Sequence, residues 1–128
     1  EPTQVQQLKK RNKNKFRGAK MPNYNKAILM GRLTRDPDFR IMPSGHPRTV
    51  TAIAVNHDWV DQQTRAKSGT VCFIDIEASG RNAEVLNQCY EKGSPIYVEG
   101  RLRYWTWKNR NGDLRSKHDL IVESLYDA

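Results

Sequence analysis

The segment PIYVEGRLRYWTW, residues 95–107, carries the strongest structural signal in this 128-residue chain. Side chains along a β-strand alternate between two faces, so the segment predicts a strand with two different surfaces. One face is apolar and suited to a core, with Ile96, Val98, Leu102 and Tyr104. The other interleaves cations with aromatic rings, namely Tyr97, Arg101, Arg103, Trp105 and Trp107. The second face favours single-stranded nucleic acid, because cations lie near phosphates and flat rings stack on unpaired bases. An interface with another protein is the alternative.

Further strands are predicted on both sides of this segment. Short β-rich stretches between turn residues predict strands at 26–33, 48–56, 71–78 and 114–125. The one predicted helix covers Asn82–Tyr90, with Asn82 as its cap and Ala83 and Leu86 on its apolar face. Residues 57–70 are polar and predict a long loop or an extended hairpin. Three strands, one short helix and two strands predict an all-β fold: a five-stranded barrel of the oligonucleotide-binding (OB) type, with the helix between strands 3 and 4.

Positive charge is concentrated at the start of the chain. The formal net charge is +8, and residues 1–20 hold seven Lys or Arg against one Glu. The remaining residues hold fifteen basic and thirteen acidic side chains, so they are nearly neutral. Residues 1–22 lack hydrophobic periodicity and predict a basic, disordered arm, and residues 23–126 form the predicted barrel domain. An acidic partner is expected. Because the barrel domain is nearly neutral, its binding of an acidic partner must depend on where each cation is placed.

Cysteine and histidine usage gives little indication of metal or disulfide chemistry. Cys72 and Cys89 are too few for a disulfide framework and lack the spacing of a zinc site, so buried free thiols in a reducing compartment are expected. His46, His57 and His118 are scattered among polar residues, and no cofactor or metal is predicted. The longest unbroken apolar run, residues 27–30, is too short for a membrane span. These features favour the cytoplasm and no membrane partner.

Three segments, in order along the chain, resemble the bacterial single-stranded DNA-binding proteins. They are NKAILMGRLTRDPDFRIMPSG at 25–45, GRNAEVL at 80–86 and KGSPIYVEGRLR at 92–103. The resemblance implies a homotetramer of OB-fold barrels that binds single-stranded DNA with little sequence preference. It further implies a role at the nucleoid, protecting single strands during DNA replication, recombination and repair, with replication and repair proteins as further partners.

The resemblance also implies which residues contact DNA. Trp59 and Trp107 match positions on which bases stack, and Phe73 falls where a third tryptophan is usual. The basic positions that line the DNA path are matched by Arg40, Arg81, Lys92 and Arg103. The strand pattern adds Trp105 and Arg101 to the predicted binding residues.

Some positions depart from the family pattern. Ser79 stands where the family commonly has a stacking phenylalanine, so one platform is lost. Asp75 stands at a position that is often basic, where an anion repels phosphate. Trp105 stands where the family more often has a basic residue and can offset the lost platform. The acidic tail typical of bacterial members is not in this sequence, which fits either a truncation or a divergent member.

Two other classes of function remain as alternatives. A nuclease would need carboxylates around a magnesium ion, and the candidates are Asp36, Asp38, Asp58 and Asp61. Asp36 and Asp38 flank a turn proline, where such residues are ordinarily caps or solvated charges, so no catalytic residue and no enzyme activity are predicted. The second alternative is an OB-fold replication-restart accessory or protein-docking module. The set Trp59, Phe73 and Trp107, together with the long 56–70 segment, favours DNA over this alternative.

Overall fold

A computed structural model describes residues 1–16 and 21–128, and residues 17–20 of the predicted arm lie outside the described residues. The described chain forms two helices and six strands: α1 (Gln4–Phe16), β1 (Ala27–Leu33), β2 (Asp38–Ile41), β3 (Pro47–Val60), β4 (Lys67–Ser79), α2 (Gly80–Cys89), β5 (Pro95–Lys108) and β6 (Leu114–Asp127). Strands β3 to β6 are 13 or 14 residues long, more than twice the usual length of about 5–6 residues. Their outer halves therefore extend past the core as two-stranded ribbons.

Five of these strands close into a barrel. β1 pairs antiparallel with β5 along one edge, and its last two residues, Arg32 and Leu33, pair with β3 along the other. From β5 the ladder continues to β6, then through a short parallel pairing to β4, and from β4 back to β3. β2 adds a short sixth strand beyond β3. The predicted five-stranded OB-fold is confirmed, with α2 between the third and fourth barrel strands.

The core fills the barrel and continues under α2. Ala83 and Leu86 of α2 are fully buried against side chains from each barrel strand: Leu33, Ile53, Ile76, Ala78, Ile96, Val98, Leu120 and Val122. The buried Thr49 hydroxyl donates to the Ala83 carbonyl at 2.7 Å, which satisfies a polar group inside an apolar core. This bond fixes α2 over the barrel end beside β3.

The start of α2 differs from the prediction. The helix begins at Gly80, and Asn82, the predicted cap, lies in its first turn with its side-chain amide donating to the Glu123 carbonyl at 3.1 Å. Ser79 precedes the helix without a side-chain capping hydrogen bond. Gly80 has φ +61°, a conformation that glycine adopts at little cost. The cap prediction is therefore wrong, because the chain enters the helix through a glycine turn.

Two elements have no counterpart in the predicted set. α1 forms where the sequence predicted a disordered arm, and the described side chains of this helix, up to Lys13, are exposed. Its start is a reciprocal capping box: the backbone N–H of Gln6 donates to the Thr3 hydroxyl, and the backbone N–H of Thr3 donates to the side-chain carbonyl of Gln6. β2 was also missed, because its four residues are polar at two positions and follow Pro37.

The polar segment 57–70 forms the extended hairpin, one of the two predicted alternatives. The β3–β4 ladder is uninterrupted from Arg48 opposite Ser79 to Val60 opposite Lys67. At the tip, the Asp61 carboxylate accepts the backbone N–H groups of Gln63 and Thr64 at 2.8 and 3.0 Å. These bonds lower the pKa of Asp61 and hold the turn.

Two predictions about burial are wrong. Leu102 and Tyr104 lie on the inward side of β5, as alternation predicts, but they are 40% and 59% exposed because this part of the β5–β6 ribbon extends past the core. Cys72 and Cys89 are free thiols, as predicted, but both are exposed. Neither described helix has the length and apolar character needed to cross a membrane.

Candidate nucleic-acid interface

Trp105 and Trp107 lie on the outer face of the β5–β6 ribbon, and the strand register gives each a basic neighbour. Trp105 stands opposite Lys117 and Trp107 opposite Arg115. The two indoles are 37% and 45% exposed. Together with Lys117 and with Arg48 of β3, they line an open groove of about 380 Å³, here called the tryptophan groove. Flat apolar walls between cations are suited to an unpaired base and its phosphate.

Three carboxylates lie beneath the groove and neutralise most of its cations. This carboxylate cluster consists of Asp75, Glu77 and Asp119. Glu77 accepts from Arg48 at 2.6 Å and from Arg103 at 3.3 Å, and Asp119 accepts from Arg103 at 2.7 Å. Asp75 pairs with Lys117 at 2.8 Å and with Arg35 at 3.6 Å. Asp75, expected to repel phosphate, is thus held between two cations.

The ion pairs set the protonation of the cluster. Burial raises the pKa of Glu77, but hydrogen bonds and positive charge from Arg103 and Arg48 outweigh it, so the net shift is downward. Burial likewise raises the pKa of Asp119, and its bonds to Arg103 and Trp105 reverse the effect. The hydrogen bond to Asp119 is the largest cause of the raised pKa of Arg103. Glu77, Asp119 and Arg103 are therefore charged at neutral pH, so the face carries fixed ion pairs.

Trp59 lies in a different place, near the tip of the β3–β4 ribbon. It stands opposite Ser68, its ring centroid is 5.8 Å from that of His57, and it lines a second open groove with Asp58, Val60, Lys67 and Gly69. Phe73, 70% exposed, stands opposite Ala54 on the same strand face as Asp75 and Glu77. Because Ala54 and Trp59 are an odd number of residues apart on one regular strand, Trp59 and Phe73 lie on opposite faces of the ribbon. The predicted aromatic residues therefore form two groups.

The predicted basic residues are also spread over the surface. Arg40 lies on β2 and pairs with Asp38 at 3.3 Å, and Arg81 is exposed in the first turn of α2. Lys92 follows α2, with its backbone N–H donating to Asp36 at 2.8 Å. Arg101 is exposed on β5 opposite Ile121. Arg103 is the predicted cation that contacts a predicted ring, with its guanidinium carbon 4.0 Å from the Trp105 ring centroid.

Sequence reasoning missed Arg48, Arg115 and Lys117 as parts of the interface. A signal for two of them was present. The Asn111-Gly112 turn fixes the β5–β6 register, and that register places Lys117 and Arg115 directly opposite the two tryptophans. Arg48 could not be placed from this register, because it lies on β3 and is held at the groove by its ion pair with Glu77.

Three of the four aspartates considered for a nuclease have other partners. Asp36 accepts the Lys92 amide, Asp38 pairs with Arg40, and Asp61 caps the hairpin turn. Across residues 1–16 and 21–128, no group of three or more potential ligands has the geometry to hold a metal ion.

Residues 24–126 match the Single-strand binding protein family. Over 102 residues, the chain is 44% identical to a single-stranded DNA-binding protein of Wolinella succinogenes and 42% identical to that of Helicobacter hepaticus. These alignments cover 80% of this chain but 62% and 59% of the two relatives, so the chain spans about three fifths of their length.

A solved structure has the same fold. A chain of the Plasmodium falciparum SSB complex with ssDNA superposes with a TM-score of 0.75 at 22% identity, covering 84% of this chain and 97% of that one. At this level of identity the likeness establishes the barrel and its strand order.

Proposed function

Because the chain belongs to the single-strand binding protein family, we propose that it binds single-stranded DNA with little sequence preference. The observation that carries the proposal is the tryptophan groove, which two exposed indoles line together with Arg48 and Lys117. Every base has a flat face, so stacking on these rings does not depend on sequence. Each stacked base contributes about 1–3 kcal/mol, a range that itself comes from single-strand binding proteins.

The bases stack on Trp105 and Trp107 of β5, on Phe73, which shares one face of β4 with Asp75 and Glu77, and on Trp59 at the second groove. The phosphates follow the exposed cations between these rings, for which Arg40, Arg81, Lys92 and Arg101 are the candidates. Most of the cations under the tryptophan groove are already paired with carboxylates. Stacking therefore contributes more of the affinity of the barrel than charge does.

The chain assembles with copies of itself, and a homotetramer is the proposed state. The outer face of β1 exposes Ile28 and Met30. Met30 stands opposite Tyr97 of β5, whose ring centroid is 5.8 Å from that of Tyr126. Exposed apolar side chains grouped in this way are typical of subunit interfaces. The assembly acts at the nucleoid in the cytoplasm, where it protects single strands during replication, recombination and repair.

The protein acts by binding and not by catalysis. Asp36, Asp38 and Asp61, three of the four aspartates considered for a nuclease, are engaged in turns or an ion pair. Incubation of a labelled oligonucleotide with the pure protein and magnesium leaves the oligonucleotide intact if this is correct. Degradation that disappears when these aspartates are replaced would establish a nuclease instead.

Tryptophan fluorescence during titration with poly(dT) tests the proposed function. Stacked indoles lose emission, so we expect strong quenching that saturates. Duplex DNA of the same length serves as the control, and it is expected to quench weakly because its bases are already stacked. An unchanged spectrum with poly(dT) would contradict DNA binding and favour the protein-docking alternative.

A further inference from the structure

Asp119 is the most deeply buried carboxylate of the cluster, and each of its oxygens is engaged. Its side chain is 6% exposed. One oxygen accepts from Arg103 Nε at 3.1 Å, and the other accepts from Arg103 Nη2 at 2.7 Å and from Trp105 Nε1 at 2.8 Å. A single carboxylate thus binds both the indole and the guanidinium. Among the hydrogen bonds of the described residues, Trp105 is the tryptophan whose indole nitrogen is a donor.

Arg103 covers one face of the Trp105 ring. Its guanidinium carbon lies 4.0 Å from the ring centroid, within the range of a cation–π contact. Its remaining nitrogen, Nη1, donates to Glu77 at 3.3 Å. A guanidinium has five N–H groups, and four of them donate to Asp119 and Glu77, because Nη2 also donates to Glu77 at 3.3 Å. One N–H of Nη1 is left for a phosphate, so the contact predicted at this position is limited to a single donor.

Trp107 is the next side chain after Trp105 on the outer side of β5. Arg103, Trp105 and Trp107 occupy alternate positions of β5, so they lie in a row on one side of the strand. Arg103 covers one face of the Trp105 ring, and Trp107 lines the tryptophan groove together with Trp105. The Cα atoms of residues two apart on a strand are separated by about 6.8 Å. This equals two base-stacking steps of about 3.4 Å, the space that one inserted base requires.

We propose that Asp119 and Arg103 hold the Trp105 indole in place, so that one unpaired base inserts between Trp105 and Trp107. In this arrangement Arg103 is a positioning residue that closes the slot at one end, and Asp119 positions both. The inference rests on the proposed function and adds to it the place where a base is held.

A double-mutant cycle tests the inference, with affinity for a dT oligonucleotide measured at fixed salt. Trp105→Ala removes one wall, and we expect a loss of about tenfold, the lower part of the range for one stacked base. Asp119→Ala leaves the ring without its anchor and is expected to lose about three- to tenfold by the same reasoning. If Asp119 acts through Trp105, Asp119→Ala causes less than about a twofold further loss in the Trp105→Ala background.

Trp59→Ala provides the matched control, because Trp59 lines the other groove and does not contact Asp119. In that background Asp119→Ala is expected to cost as much as in the unaltered chain. Additive losses in both backgrounds, or equal coupling in both, would overturn the inference, since general destabilisation affects both grooves alike. If the unaltered chain did not bind the oligonucleotide, the proposed function would be refuted and this inference with it.

Two measurements keep the inference testable if Asp119→Ala does not fold. Asp119→Asn keeps a carbonyl acceptor for the indole and is expected to retain most of the affinity. Hydrogen exchange in the unaltered chain should be slower at the Trp105 indole N–H than at the indole N–H groups of Trp59 and Trp107. Equally fast exchange at all three would contradict an anchored Trp105.

Discussion

Trp105 and Trp107 are the same residue type on the same strand face, and their surroundings give them different roles. Trp105 donates to Asp119 and lies against Arg103. Trp107 has Arg115 as its cross-strand neighbour and is the more exposed ring. A ring that is already held loses little side-chain entropy on binding, and a ring that is free offers more surface.

Replacement of Trp107 tests the assignment of the binding face. We expect Trp107→Ala to weaken binding of a dT oligonucleotide by about tenfold or more, because it removes one stacking surface of the groove. Ser79→Ala is the control, since Ser79 is exposed and makes no capping hydrogen bond, and its affinity is expected to stay within about twofold. The affinities are measured by fluorescence titration. Equal small losses in the two variants would contradict the assignment.

The carboxylate cluster predicts how stability depends on pH. The pKa values of Glu77 and Asp119 lie below their ordinary values of 4.5 and 3.8 in the folded state. The folded state therefore binds these protons less tightly than the unfolded state. Their contribution to stability is present above about pH 4 and is lost as the pH falls through the lowered pKa values.

Asp119→Asn should therefore unfold with a weaker dependence on pH below about pH 4. At neutral pH we expect the variant to be less stable by about 1–3 kcal/mol, because Arg103 loses a charged partner. Chemical denaturation at a series of pH values measures both effects. Asp38→Asn is the control, because the Asp38–Arg40 pair is well exposed and contributes little. A parallel pH profile for Asp119→Asn and the unaltered chain would contradict the linkage.

Among the elements, the β5–β6 ribbon was predicted best, and the error there concerns burial. Alternation placed every β5 side chain on the correct side, because period two is a local property of an extended chain. Alternation does not indicate how far the core extends, so Leu102 and Tyr104 were expected to be buried. β2 and α1 were missed for other reasons: β2 has only four residues and follows a proline, and the sequence of α1 is polar and basic without an apolar periodicity.

α1 and the residues around it give a prediction about salt. Residues 1–20 carry seven of the 22 Lys and Arg residues, and we propose that this arm binds phosphates without sequence preference. Deletion of residues 1–20 should then reduce the slope of log affinity against log salt by about 0.7 for each phosphate that the arm neutralises. Affinity for a dT oligonucleotide is measured across a salt series.

The control for this deletion is replacement of the lysines and arginine of α1 with glutamine. This change keeps the length of the arm and removes five of its seven cations, so it should reproduce most of the effect of the deletion. An unchanged slope in the deletion variant would show that the arm takes no part in binding. A reduced slope in the deletion alone would show that the effect does not come from charge on α1.

At the level of the whole molecule, the order of strands and helix was enough to predict the barrel, but it was not enough to predict the site. The carboxylate cluster and its cations bring Asp75 and Glu77 of β4 together with Lys117 and Asp119 of β6, which are more than 40 residues away in the sequence. These groups meet because β4 and β6 pair in parallel, which closes the barrel. No local pattern contains that pairing, so the ion pairs that Arg103 makes with Glu77 and Asp119 could not be predicted from the sequence.

Closure of the barrel also depends on two glycines at strand crossings. A Cβ atom at Gly100 would overlap the carbonyl of Ile121, and one at Gly31 would overlap that of Ala54. We expect Gly100→Ala to lower the free energy of unfolding by about 1–3 kcal/mol, because backbone must move to relieve the overlap. Thr106→Ala, on the exposed part of the same strand, is the control. Thermal or denaturant unfolding measures both, and equal stability of the two variants would contradict the tight crossing.

The close backbone contacts at these glycines determine which changes in their codons are tolerated. Any missense change in the codon for Gly31 or Gly100 inserts an amino acid that carries a Cβ atom, so even the smallest exchange, to alanine, meets the opposing carbonyl. We expect synonymous changes to accumulate at these two codons while missense alleles are removed by selection, independently of any effect on the proposed binding of DNA.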